Sequence, residues 1–110
     1  MKNDHAYLMH IIDSINRILE YTSSGKNSFF NDIKTQDAVI RNLEIIGEAA
    51  KKISMELKSA HSNIPWKRIS GMRDKLIHDY FGVNLDLVWD VVINELPDFN
   101  NQLKSIISNK

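Results

Sequence analysis

The 110-residue chain has no cysteine. That absence removes disulfide scaffolds, thiolate zinc sites, iron-sulfur clusters and cysteine nucleophiles together, and it agrees with a reducing compartment. Long apolar runs are missing as well: no stretch approaches the roughly 20 residues that cross a bilayer, and Met1-Lys2-Asn3-Asp4-His5 is not the basic start of a secretory signal. The expected location is the cytoplasm, without membrane contact. Net charge is absent too, because 14 Lys and Arg balance 14 Asp and Glu. Coating nucleic acid non-specifically relies on many cations neutralising phosphates, so that mode is disfavoured, while a small local phosphate site is allowed. The chain shows no repeat, no low-complexity tract and no convincing strand.

What is present is an ordinary globular composition, 43% hydrophobic and 25% charged, in a length that suits a single domain over 1–110. A domain this small buries a modest share of its surface, and oligomerisation is a common remedy, so a dimer is expected.

Apolar residues recur at helical period. Tyr7, Leu8, Ile11, Ile12, Ile15, Ile18 and Leu19 form one stripe, predicting a first helix over 4–21. The polar cluster 22–28 ends it, and Phe29, Phe30 and Ile33 are expected to tuck a short turn against the core. Thr35 has the type of an N-cap, with Asp37 in the first turn, opening a second helix over 36–58 whose stripe is Val39, Leu43, Ile46, Ala50, Ile53 and Leu57. Pro65 suits a first helical position and starts a third helix over 65–80, closed by Phe81-Gly82-Val83. Asn84 is placed to cap a fourth, carrying Leu85, Val88, Trp89, Val92, Ile93 and Leu96. Pro97 should kink or split it, leaving 98–107 as a short fifth segment. The expected fold class is all-α, an up-and-down bundle of four to five helices.

The third helix holds Lys67, Arg68, Arg73 and Lys75 against Asp74 and Asp79, whereas Asp86, Asp90, Glu95 and Asp98 follow with no basic residue among them. Within it, Gly71-Met72-Arg73-Asp74-Lys75-Leu76-Ile77-His78-Asp79-Tyr80 gathers an arginine, a histidine and a tyrosine. At about 100° per residue, Arg73 and Tyr80 lie within roughly 20° of each other and His78 about 140° from Arg73. Ile69, Met72, Leu76 and Tyr80 face the core in this reading, so one straight helix does not converge the three. Either the helix ends near Ile77 and swings His78 round, or the site is composed across a two-fold axis. The chemistry such residues permit is specific: the arginine fork matches a phosphate, and an imidazole can take the proton of a ribose 2′-hydroxyl or deliver one to a leaving 5′-oxygen. That route needs neither metal nor cofactor.

Other candidates have plainer readings. His5 and His10, with Asp13, lack the four-residue spacing that puts two metal ligands on one helical face and are expected to be exposed. Trp66 and Trp89 follow the apolar period and are expected in the core or at a dimer contact rather than stacked on bases. Arg41 and Glu44 most simply form a surface pair, and Lys67, Arg68 and Lys75 are either guides for RNA or solubilising residues.

Arg73, four residues, His78, one residue, Tyr80 resembles the R-x4-H-x-Y motif of HepT-like ribonucleases in the HEPN superfamily. The likeness extends to Gln36-Asp37-Ala38-Val39-Ile40-Arg41-Asn42-Leu43-Glu44-Ile45-Ile46-Gly47-Glu48-Ala49-Ala50, similar to that family's second helix, and to Ile64-Pro65-Trp66, Tyr80-Phe81-Gly82 and Trp89 in order and spacing. The resemblance implies a homodimeric helical bundle acting as the toxin of a type VII toxin-antitoxin system, cleaving RNA without metal at a cleft between protomers. It implies Arg73 and His78 as the catalytic pair, with Asp74 orienting one of them. It also implies a minimal nucleotidyltransferase antitoxin as partner and Tyr80 as acceptor of AMP from ATP. The rival class is a non-catalytic helical module that dimerises and docks a nucleotidyltransferase through the same cluster.

Overall fold

The computed structural model describes residues 3–78 and 84–108, with side chains at all of these except 73 and 75–78. Every regular element among them is helical, in the order α1 (Asp4–Tyr21), α2 (Lys26–Phe30), α3 (Ile33–Lys52), α4 (Met55–Ala60), α5 (Trp66–His78), α6 (Leu85–Asp90), a π-helical turn (Val91–Glu95) and α7 (Leu96–Ser108). The all-α bundle expected from the periodicity is therefore the observed architecture. Asp79 and Tyr80, the last two residues of the expected third helix, and its closing Phe81-Gly82-Val83 lie outside the described residues.

α1 matches its predicted bounds because its stripe is uninterrupted. Leu8, Ile11, Ile15 and Ile18 are fully buried against α3, which presents Val39, Leu43, Ile46 and Ala50. α5 packs on the other side of α3, and α7 leans on α1. One continuous cluster of buried side chains joins these elements, from Leu8 to Ile106.

The expected turn at Phe29 and Phe30 is a five-residue helix. Phe29 is buried, in edge contact with Phe30 and tilted against Trp89, both at 5.4 Å between ring centroids. Gln36 Nε2 donates to the carbonyls of Phe29 and Phe30 at 3.0 and 3.1 Å, pairing oxygens that the end of a helix leaves without partners. Ile33, expected inside, is 72% exposed as the first residue of α3.

α3 begins three residues earlier than predicted. Its cap is Asp32, whose carboxylate accepts from the Lys34 amide at 3.1 Å, while the Thr35 hydroxyl donates to the same carboxylate at 2.8 Å. That hydroxyl hydrogen bond, with smaller help from the Thr35 and Lys34 amides and the Lys34 charge, holds the Asp32 carboxyl below its ordinary value.

The expected helix over 36–58 is two helices. Ile53 and Ser54 are extended, and the Ser54 hydroxyl caps α4 by accepting from the Leu57 amide at 3.1 Å. Buried Asp4 fixes this joint, its carboxylate accepting from Ser54 N at 2.9 Å and Ser54 Oγ at 2.6 Å. An orphan amide and a cap hydroxyl meeting one carboxylate make the break cheaper than continuing the helix.

Pro97 neither splits nor ends the last helix. A proline ring clashes with the carbonyl four residues back and brings no N–H. The chain meets this with a π turn directly upstream, where the Leu96 amide reaches Val91 O, five residues back, and helix continues to Ser108. The fifth segment is thus joined to the fourth in one run.

Candidate active site

α5 is the element that carries the motif. Its inner face is set by Trp66, Ile69 and Met72, all buried. Trp66 is held at both ends: its indole Nε1 donates to His61 O at 3.0 Å, and its ring stands edge-on to Phe99 at 6.2 Å. It is a core residue, and Trp89 is half-buried against Phe29. Pro65 immediately precedes the helix, and its carbonyl accepts from the Ile69 amide at 3.1 Å.

The backbone of α5 is helical from Trp66 through His78. Arg73 and His78 therefore sit on one axis, about 140° apart in register and about 7.5 Å apart along it. The alternative in which the helix stops at Ile77 is not the one the backbone adopts. Asp74 is exposed and its Oδ1 lies 3.4 Å from Lys51 Nζ, tying the motif helix to the last turn of α3. Tyr80 lies outside the described residues, and so do the side chains of Arg73 and His78.

Beside the motif is a cleft of about 270 Å³ between α3, α5 and the α6–π run. Its floor is apolar, from Leu43, Met72, Val88 and Val91. Its rim is charged, from Lys67 and from Arg68 Nη2, which donates to Glu95 Oε2 at 2.8 Å. Gly71 forms part of the wall. A glycine inside a helix costs about 1 kcal/mol relative to alanine. Here a Cβ would meet no described atom within 4 Å, and Gly71 does not have a positive φ. Packing of the described chain does not ask for it. The cleft was not foreseen because its wall, floor and rim come from elements far apart in sequence.

A second concavity, about 410 Å³, runs between α1 and α3. Tyr7, His10, Arg41 and Glu44 lie along it with Glu48 and Lys52. Arg41 and Glu44 share it without forming an ion pair with each other among the described residues. His5, His10 and Asp13 are exposed on α1, and no cluster of three or more metal-ligating side chains occurs among the described residues.

A helical bundle whose central helix bears an arginine and a histidine five positions apart, with a cationic, apolar-floored cleft alongside, has the outline of a small phosphodiester-binding protein. The sequence profile described as ribonuclease HepT-like matches residues 11–106. The chain is 44% identical over 108 residues to a probable ribonuclease HepT of Thermococcus cleftensis, covering 96% of this chain and 98% of that protein. It is 42% identical over 108 residues to a protein named as a candidate RNase in Caldanaerobacter subterraneus subsp. tengcongensis, covering 97% and 96%. A Methanocaldococcus jannaschii protein named as a gamma-glutamylcyclotransferase and candidate RNase is 45% identical over 107 residues, which is 48% of its length. No solved structure gives a significant match. The chain belongs to the HepT-like ribonuclease family.

Proposed function

We propose that the chain is the toxin of a type VII toxin-antitoxin pair: one domain over 1–110, working as a cytoplasmic homodimer that cleaves RNA without a metal ion. The observation that carries this reading is the placement of Arg73 and His78 on one uninterrupted helix of a HepT-like bundle. Their separation around the axis supports a site completed by a second copy, since two copies of α5 meeting across a two-fold axis bring the arginine of one toward the histidine of the other.

In this mechanism the Arg73 guanidinium holds the scissile phosphate and stabilises the charge that builds on its oxygens. The neutral imidazole of one His78 takes the proton of the ribose 2′-hydroxyl. The 2′-oxygen bonds to phosphorus as the bond to the 5′-oxygen breaks, and the His78 imidazolium of the second copy protonates that leaving oxygen. The products are a 2′,3′-cyclic phosphate and a 5′-hydroxyl end. Asp74, already held toward Lys51, orients the arginine or the histidine. A nucleotidyltransferase antitoxin silences the site when the Tyr80 oxygen attacks the α-phosphorus of ATP and pyrophosphate leaves. The AMP so attached then competes with RNA for Arg73.

The test is incubation of purified, unmodified protein with RNA in excess chelator, beside Arg73→Ala and His78→Ala. Wild type should leave 2′,3′-cyclic phosphate ends, and each variant should lose about 10²- to 10⁴-fold in rate, as expected when a proton-transfer or charge-stabilising group is removed. If both variants cleave at the wild-type rate, the site assignment is wrong. An intact RNA pool with wild type and bare Tyr80 would leave the docking module as the function.

A further inference from the structure

The cleft beside Gly71 is unexplained by the fold, and three features of it point to the same occupant. Its floor is apolar and its volume is about 270 Å³, suited to a flat ring more than to a phosphate. Its rim combines two cations, Lys67 and Arg68, with one carboxylate whose Oε2 is taken by Arg68 and whose Oε1 has no partner among the described residues. Gly71 keeps the wall free of a side chain that the described chain has room for. Gly71 and His78 also lie about 20° apart in register, seven positions along one helix, so the cleft opens on the face of α5 that bears the histidine position.

We propose that this cleft receives a nucleobase of the RNA strand neighbouring the scissile phosphate, with Lys67 holding an adjacent phosphate and Glu95 selecting an amino-bearing base. This rests on the ribonuclease reading above for the identity of the strand. Adenine, cytosine and guanine each present an N–H₂ donor that a carboxylate oxygen accepts, whereas the corresponding group of uracil is a carbonyl that a carboxylate repels. The absent side chain at Gly71 lets the plane of the base lie against the helix backbone. Leu43, Met72, Val88 and Val91 cover its lower edge.

Two measurements decide it. Binding is read by titrating each of the four nucleoside 5′-monophosphates into the wild-type chain and following backbone amide shifts. AMP, CMP and GMP should move the amides of Gly71, Met72, Val88 and Val91 more than UMP does. Gly71→Leu should abolish these shifts, and Glu95→Gln, which adds a donor, should level the difference between amino-bearing bases and uracil. Cleavage is read on short oligonucleotides varied at the positions flanking the cut. Gly71→Leu should slow it at least about tenfold, the scale of one well-made base contact, while Gly71→Ala stays closer to wild type. Shifts confined elsewhere, or unchanged in Gly71→Leu, overturn the pocket. So does cleavage by wild type with a rate and base preference that neither Gly71→Leu nor Glu95→Gln alters. Failure of the ribonuclease reading is separately visible, as intact oligonucleotides with wild type, and leaves the monophosphate titration to judge the pocket on its own.

Discussion

Asp4 is a carboxylate only 6% exposed, and the chain answers that cost by giving it the amide and hydroxyl of Ser54. Ser54 in turn caps α4, so one hydroxyl serves a buried charge and an orphan helix amide together. Ser54→Ala should therefore destabilise the fold by about 1–3 kcal/mol, the range for losing a cap together with a hydrogen bond to a buried group. A urea titration checks it, with Ser59→Ala, an exposed position in the same helix, as the nearly silent control. Nothing local in the sequence announces this pair, since 50 positions separate its members. The motif residues differ in kind: Arg73, His78 and Tyr80 were legible as a pattern, but the pattern speaks through resemblance, and residue types alone did not separate a site from a solvated helix face. Gly71 and Glu95 were visible in the sequence and carried no signal there, because their meaning depends on a cleft assembled from α3, α5 and the π turn.

At the scale of elements, apolar period located nearly every helix and misjudged the joints. Ile53 and Leu57 keep a four-residue step across Ser54, so the break between α3 and α4 is invisible to periodicity, although Ser54 followed by Glu56 reads as a helix start once it is sought. Val88, Val92 and Leu96 likewise keep their step through the π turn that accommodates Pro97. The start of α3 shows how two plausible caps three residues apart are resolved: Thr35 donates to Asp32, and Asp32 is the cap. This carries a pH consequence. The Asp32 carboxyl is held below its ordinary value by the Thr35 hydroxyl, so its contribution is present above the unfolded-state carboxylate range and is lost as pH falls through the lower folded-state value. Asp32→Asn retains a capping oxygen but not the charge at the positive end of the helix dipole. The variant should melt below wild type at neutral pH, and the gap between the two melting temperatures should close progressively in the acid range. A gap independent of pH would assign the cap to geometry alone.

For the whole molecule the decisive matter is whether one chain suffices. No helix among the described residues is long and apolar enough to cross a membrane, and the bundle measures 41 × 27 × 21 Å with Ile33, Met55 and Ile93 each at least half exposed. Such residues are common singly on small proteins and do not by themselves define an interface. The stronger argument is positional. A helix continuous through His78 separates it from Arg73 by about 140°, and the proposed reaction needs a proton acceptor and a proton donor at one phosphate, so the second imidazole must come from another chain. Subunit mixing tests this directly. If wild-type chains exchange at random into pairs with a ninefold excess of His78→Ala, only about a tenth of them keep a wild-type partner, and activity per wild-type chain should fall to about a tenth of its starting value. Light scattering on the same samples must show an unchanged dimer mass, so that the loss reflects a missing imidazole and not dissociation. Activity per wild-type chain that holds steady across the mixing series would place the acid and the base in a single protomer, and Arg73 and His78 would then have to converge through a rearrangement of the end of α5.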